Sequence, residues 1–274
     1  MSKKQKEIIE KTKSPITKSD IIKGLKTLGI NETSLLEVHS SLSAFGFIVN
    51  KEYDIIDALL EVVTKGVIIM PAHTSEMTNP RDWENPPVPK EWFEIIEKNR
   101  KPFDPKTFLP ERVGQVAKTF LNYPKVKRTL HPETSLAVFN MTNDNSWLNH
   151  SLDDRELINP LYKLKENNGK ILMMGTDFYS CTSIHLTEFL SNYSTIDKYD
   201  YKIKINNKIV KKTVITKYFD KDDINFKAIS ETYIKKYKNT DDYKQVKVGL
   251  ATLTLIDAFK LYEIAKDFHI NYKE

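Results

Sequence analysis

His185 and Glu188 stand three residues apart in the segment Thr182-Ser183-Ile184-His185-Leu186-Thr187-Glu188. At helical spacing, residues i and i+3 share one face, which brings a carboxylate beside an imidazole. Such a partner orients the ring and raises its basicity, the requirement of a general base. An ordinary surface pair has the same spacing, so spacing alone leaves both readings open. A metal centre fits less well, because the pair supplies two ligands and its surroundings offer no obvious third.

Three further groups of residues carry chemical potential. His39-Ser40-Ser41-Leu42 closes an apolar run. Small hydroxyl residues at such a strand end leave backbone N–H groups open to a phosphate or an amide. Cys181, the only cysteine, neighbours Thr182 and His185. It is either a thiol nucleophile or, as we favour, a half-buried small hydrophobe. Acidic residues cluster twice, at Glu76, Asp82 and Glu84 and again at Asp220, Asp222 and Asp223. They are solvated surface groups or, in a net-basic chain, local sites for a polycation. Four of the six histidines, at 39, 73, 131 and 185, fall at strand ends, loops or helix starts, where a rigid scaffold builds its sites.

The elements that must position these residues follow from periodicity. Thr17 and Asp20 open a short amphipathic helix over 21–30. Residues 34–41 read as a strand, 52–64 as a helix with Ile55, Ile56, Leu59, Val62 and Val63 on one face, and 67–71 as a buried strand. Strand, helix and strand in so short a span form a parallel, right-handed unit. Residues 71–110 contain eight of the 12 prolines and read as a long loop insertion.

Beyond it come a helix at 111–122, a strand at 134–139, a helix at 159–169 and a strand at 170–175. Thr182 or Ser183 caps a helix over 184–193. The runs 199–205 and 209–219 flank Asn206, Asn207 and Lys208 as a β-hairpin. A helix from Asp223, a strand at 246–256 and a helix at 257–268 complete the chain. This predicts one α/β domain with a mixed sheet over 17–274, preceded by a basic extension at 1–16.

At 40% hydrophobic the 274-residue chain can bury a substantial core. One cysteine excludes an intrachain disulfide and a four-cysteine zinc site. The net charge of +5 is spread along the sequence, without the basic stripe or aromatic–basic interleaving of a nucleic-acid binder. No apolar run reaches the roughly 18 residues of a membrane span, and the N-terminus lacks the apolar core of a secretory signal. The expected compartment is the cytoplasm. There are no Walker glycines, no G-x-G-x-x-G and no G-x-S-x-G, so a P-loop, a dinucleotide fold and a hydrolase elbow are not supported. The sequence sets no oligomeric state; a homodimer is admitted beside a monomer.

In this order, LLEVHSSLSAFGFI, IIDALLEVV, VIIMPAHTSE, RTLHPETSLAVF, NHSLDD with NPLYKL, KILMMG and TSIHLTEF resemble the aminoglycoside 3-N-acetyltransferases over roughly residues 18–265. The resemblance implies a three-layer α/β/α fold, here with a C-terminal β-hairpin. It implies acetyl-coenzyme A as cosubstrate, no metal, and direct transfer to the 3-amino group of a 2-deoxystreptamine ring. The family's T-S-x-H-x-x-E segment falls on Thr182, Ser183, His185 and Glu188, with the last two catalytic.

The H-S-S-L segment, at His39, Ser40, Ser41 and Leu42, would line the cofactor, together with Thr182 and Ser183. Arg128 and Ser135 fall in the R-S-x-H-P-x-x-S segment and are expected near it, Arg128 on a phosphate. His73, Glu76, Asp82, Glu84, His131, Asp222 and Asp223 are expected to face the cationic amine substrate. The chain departs from the family pattern at Val49 and Asn50, at Ser75 and Glu76, and at Leu157, Ile158 and Asn159. These departures lie toward the acceptor. They keep two alternatives in play, a same-fold acetyltransferase for another amine and a non-catalytic nucleotide- or coenzyme-A-binding protein.

Overall fold

A computed structural model describes residues 3–84, 86–154, 158–219 and 221–273, without the side chains of residues 3–5, 75, 222 and 223. In chain order its elements are α1 (Lys3–Lys11), α2 (Lys18–Thr27), β1 (Leu35–Ser40), α3 (Glu52–Val62), β2 (Val67–Pro71), α4 (Phe93–Asn99), α5 (Gln115–Phe120), β3 (Val126–Arg128), β4 (Leu136–Asn140), α6 (Asn159–Glu166), β5 (Lys170–Met174), β6 (Ser194–Ile205), β7 (Lys208–Phe219), α7 (Asp222–Tyr237), β8 (Tyr243–Val248), β9 (Ala251–Asp257) and α8 (Ala258–Asn271).

Seven strands form one mixed sheet in the order β3-β4-β2-β1-β5-β9-β8. β1 lies at its centre, parallel to β2 and to β5, and every other pairing is antiparallel. Strand side chains alternate between faces. Leu36, Val38, Ile68, Met70, Leu172 and Met174 therefore pack under α2, α3 and α5. Ile69, Val138, Ile171 and Met173 pack under α6, α7 and α8. The result is the expected three-layer α/β/α sandwich. α2 starts where the sequence signals it: Asp20 N–H reaches Thr17 Oγ1, and the Asp20 carboxylate accepts the Thr17 N–H at 2.9 Å.

β6 and β7 form a separate two-stranded hairpin. Its turn residues Asn206 and Asn207 have φ of 49° and 62°, the left-handed pair that matches the twist of the strands. The proline-rich segment lies against this hairpin. The Phe103 N–H donates to Lys202 O and its carbonyl accepts the Lys204 N–H, both at 2.8 Å. Phe103 then packs with Met77, Tyr201, Ile203 and Val214 in a satellite core.

Five expectations change. Residues 246–256 are two strands, because Gly249, at φ +58°, turns the chain between β8 and β9. The helix expected at 111–122 contracts to α5. The insertion contains a helix, α4, and the N-terminal extension contains α1. Ile16, beyond that extension's helix, is buried and bridges to Ile48. Finally, Thr182–Leu190 is a 3-10 segment that begins after Cys181 with no side-chain cap. The Ser183 hydroxyl, which would have capped a helix, instead donates to the Glu37 carboxylate.

Candidate active site

The 3-10 geometry aligns the His185–Glu188 pair more closely than an α-helix would, since three residues per turn set i and i+3 directly above one another. His185 Nδ1 lies 2.6 Å from Glu188 Oε1. Glu188 is buried at 2% exposure, while the His185 side chain is 39% exposed. The carboxylate is held from three sides, by the histidine, by the Asn225 amide at 3.1 Å and by the Phe219 N–H at 3.4 Å. Burial works to raise the Glu188 carboxyl, but His185, His269 and the Phe219 N–H outweigh it and leave it below its ordinary value. An ionised, buried carboxylate at 2.6 Å takes the Nδ1 proton as donor. That tautomer leaves the lone pair on Nε2, which makes His185 a base.

Around the ring, Phe226 meets His185 edge-on at 5.3 Å, and Tyr179, half exposed, stacks on Phe226 at 5.7 Å. Tyr162 fastens the segment by donating to Leu186 O at 2.6 Å. Thr187 joins it to His269 Nδ1 at 2.8 Å. The pair thus sits where the 3-10 segment, the end of β7 and the start of α7 meet.

Asn225 and Phe226 lie one turn into α7, so the backbone of Asp222 and Asp223 belongs to this neighbourhood; their side chains lie outside the described residues, as does all of Asp220. The N-cap position of α7 is Lys221, so neither aspartate is the cap. Leu157, one of the departures from the family pattern, also lies outside the described residues.

A second polar cluster lies beneath the start of the segment. His39 Nε2 contacts Glu37 Oε1 at 2.7 Å, the Ser183 hydroxyl donates to Glu37 Oε2, and the Thr182 N–H stands 3.4 Å from His39 Nε2. All four residues are buried, so His39, Thr182 and Ser183, expected as cofactor contacts, here join Glu37 in binding the segment to β1. Cys181 is buried beside Glu37 and His39, within reach of a common cation, although Glu37 already engages His39 and Ser183. Burial, reinforced by the Glu37 charge, drives its thiol well up, the opposite of a nucleophile's requirement.

Ser40, Ser41 and Leu42 do open on a cleft, of about 950 Å³, together with Ile8, Ile9, Phe47, Ile48 and Lys51. It lies at the carboxyl end of β1, with parallel strands on both sides. Ligands of open α/β sheets bind outside such strand ends where the order reverses.

Arg128 takes another role. Its Nε donates to Ser135 Oγ at 2.9 Å, one terminal nitrogen to Phe108 O, and the other to Ala72 O and Thr74 Oγ1, each at 2.5 Å. The guanidinium also lies 4.9 Å over the Phe103 ring. Burial lowers its pKa to about 10, so it stays charged. Arg128 and Ser135 therefore clamp the two ends of the proline-rich insertion, and this arrangement offers no support for the expected phosphate contact.

His131 is buried, and its Nδ1 accepts from the Glu133 and Thr134 N–H groups, with the ring stacked on His150 at 5.1 Å. His73 and Glu76 are half-buried in the insertion, and Asp82 and Glu84 are exposed there. Asn79 ties the segment to Asp197 of β6 at 2.8 Å, three residues from Ser194, whose hydroxyl donates to Glu188 O. The base of the hairpin therefore links the insertion to the His185–Glu188 pair. The sequence reading missed Glu37, Asn225 and Phe226. Glu37 was detectable, because alternate positions on a strand share a face and a lone acid two residues before His39 in an apolar run signals a buried pair.

The sequence profile of the aminoglycoside 3-N-acetyltransferase family matches residues 38–269. The SPbeta prophage-derived aminoglycoside N(3')-acetyltransferase-like protein YokD of Bacillus subtilis is 35% identical over 210 residues, 76% of this chain and 77% of that one. Its crystal structure superposes with a TM-score of 0.87 over 97% of each chain at 32% identity. Aminoglycoside N(3)-acetyltransferase III of Pseudomonas aeruginosa is 27% identical over 205 residues, 73% of this chain and 74% of that one. With profile, sequence and architecture in agreement, the chain belongs to the aminoglycoside 3-N-acetyltransferase family.

Proposed function

We propose that this protein transfers the acetyl group of acetyl-coenzyme A to an amine of an aminoglycoside, at the 3-amino group of its 2-deoxystreptamine ring. The observation that carries the reading is the His185–Glu188 pair, 2.6 Å apart, with a buried carboxylate behind a part-exposed ring. The acceptor arrives as an ammonium and must lose a proton before it can attack. His185 takes that proton on Nε2, directly or through a water, and Glu188 holds the resulting imidazolium. The amine nitrogen then attacks the thioester carbonyl, the C–S bond breaks, and coenzyme A leaves as a thiolate that a proton neutralises. The Ser41 N–H donates to Met174 O, so the backbone N–H groups of Leu42 and Ser43 are the candidates for the oxyanion. No acyl-enzyme is required, since the thioester is already activated and the Cys181 thiol is buried.

The acceptor side rests on Asp222 and Asp223, at the start of the helix that supplies Asn225 to Glu188. Carboxylates there hold the substrate's other ammonium groups and select which amine meets His185. Among the described residues no helix is long and apolar enough to cross a membrane. The direct test is thiol release from acetyl-coenzyme A across an aminoglycoside panel, with product mass. The reading predicts a single acetyl addition to 2-deoxystreptamine compounds. Release with a different amine and with no aminoglycoside would overturn the acceptor while leaving the reaction.

A further inference from the structure

The cleft at the end of β1 has one wall that the family profile does not reach. That profile begins at residue 38, whereas Ile8 and Ile9 of α1 line the cleft opposite Leu42, Phe47 and Ile48. Among the described residues, the hydrogen bonds that anchor α1 to the rest of the fold lie past its C-terminal end. Thr12 Oγ1 donates to Ile8 O at 2.6 Å and accepts the Phe47 N–H at 2.9 Å. Ile16 then exchanges backbone hydrogen bonds with Phe47 and Val49, at 2.8 and 3.0 Å. Gly46, at φ +94°, is needed for this approach, since a Cβ there would lie 2.6 Å from Thr12 Oγ1. The helix is thus brought to the cleft by specific contacts, yet it leaves apolar surface bare: Ile9 is 44% exposed and Phe47 41%. Two facing apolar walls left partly open to water favour a ligand that fills the gap.

Charge indicates which ligand. The charged residues that line the cleft are Lys51 and Glu52, and the buried Glu52 carboxylate accepts from the Gln115 amide and the Thr119 hydroxyl, which leaves the lysine to meet a ligand. Lys51, which lines the cleft, has φ 52° and ψ −133°, a conformation that a side-chain-bearing residue rarely adopts and that folds retain at binding sites. A long, partly apolar molecule with an anionic end suits a groove with apolar walls and a lysine at its edge.

We propose that α1 forms part of the acetyl-coenzyme A site, with Ile8 and Ile9 closing one side of the cleft over the pantetheine arm and Lys51 meeting the phosphates. This rests on the acetyl-transfer reading above. It assigns a cofactor wall to a segment outside the residues that the family profile matches.

The test uses free coenzyme A as probe, by calorimetry, on the full-length protein. In Ile8→Asp/Ile9→Asp, the Kd for coenzyme A rises by about tenfold or more. The KM for acetyl-coenzyme A rises with it, and the aminoglycoside KM does not follow. Ile8→Val/Ile9→Val keeps the affinity of the parent. Hydrogen exchange on the unmodified protein serves as a second reading that needs no variant: coenzyme A slows exchange of the α1 amides. Unchanged affinity in the folded aspartate variant, or α1 exchange indifferent to coenzyme A, overturns the proposal. If the parent binds coenzyme A through α1 but acetylates no aminoglycoside, the acceptor assignment falls and this one stands. If the parent does not bind coenzyme A, both fall.

Discussion

Glu188 is the residue that orients His185, because its burial and its contacts with Asn225 and the Phe219 N–H hold its carboxylate against Nδ1. The contact between His185 and Glu188 was legible in the sequence from spacing. Its supports were not, since Asn225 and the Phe219 N–H come from 37 and 31 residues away and only the fold brings them to Glu188. Cys181 illustrates the converse. Its position between a serine and a threonine suggests reactivity, and only its burial removes it from the chemistry. Cys181→Ser is accordingly expected to keep turnover within about threefold of the parent, the scale of a conservative change that leaves the machinery untouched. Abolished turnover, or an acetylated Cys181 detected by mass spectrometry, would restore a covalent route.

Among the elements, the proline-rich insertion is the one whose role changed most between sequence and structure. Its composition marked it as a loop, but the contacts that hold it, from Arg128 to Phe108, Ala72 and Thr74, connect residues 20 to 56 apart and leave no local signature. Arg128→Ala leaves two backbone carbonyls and the Thr74 hydroxyl without this donor. The expected cost is about 3 kcal/mol or more. Limited proteolysis should then cut within 72–108 in the variant and not in the parent, with coenzyme A affinity retained. A folded, protease-resistant variant that loses coenzyme A would show that the arginine serves a phosphate after all.

Two other misread elements have local causes. Apolar alternation runs on through Gly249, so β8 and β9 looked continuous. Over nine residues, periods of 3.0 and 3.6 cannot be separated, so the 3-10 segment looked α-helical. α7 supplies its own prediction. Because Lys221 is the N-cap, Asp222→Asn/Asp223→Asn forfeits only a dipole interaction of about 0.5 kcal/mol per residue. The aminoglycoside KM should rise several-fold while acetyl-coenzyme A binding holds, and added salt should weaken the parent more than the variant. An unchanged KM across the panel would remove both aspartates from the acceptor site.

For the whole molecule, the three-layer plan was readable because β2 and β5 are nearly continuous apolar runs, the mark of strands covered on both faces. The same burial sets how stability responds to acid. His269 is fully buried, and burial lowers its pKa to about 4 despite the nearby Glu188 charge; burial likewise lowers His150 to about 3. Both stay neutral in the folded state, whereas the unfolded chain protonates them near 6.5. Their contribution is therefore complete above pH 6.5 and is lost as pH falls from there toward 4. The loss from His269 alone approaches about 1.4 kcal/mol per pH unit. Glu188, held below its ordinary 4.5, adds to the loss only in more acidic solution. Denaturant midpoints should be level from pH 8 to 7 and decline below about 6, less steeply in His269→Gln. A flat profile down to pH 5 would contradict the buried, neutral assignment.

The most direct test of the central claim is single-turnover acetyl transfer by the parent and by His185→Ala, at saturating acetyl-coenzyme A and aminoglycoside, with the acetylated nitrogen located by NMR. The account predicts one acetyl group on the 3-amino nitrogen with the parent. It predicts a rate lower by roughly 100-fold or more in the variant, the scale of a lost general base, with coenzyme A affinity preserved. Near-parental transfer by a folded His185→Ala would contradict it.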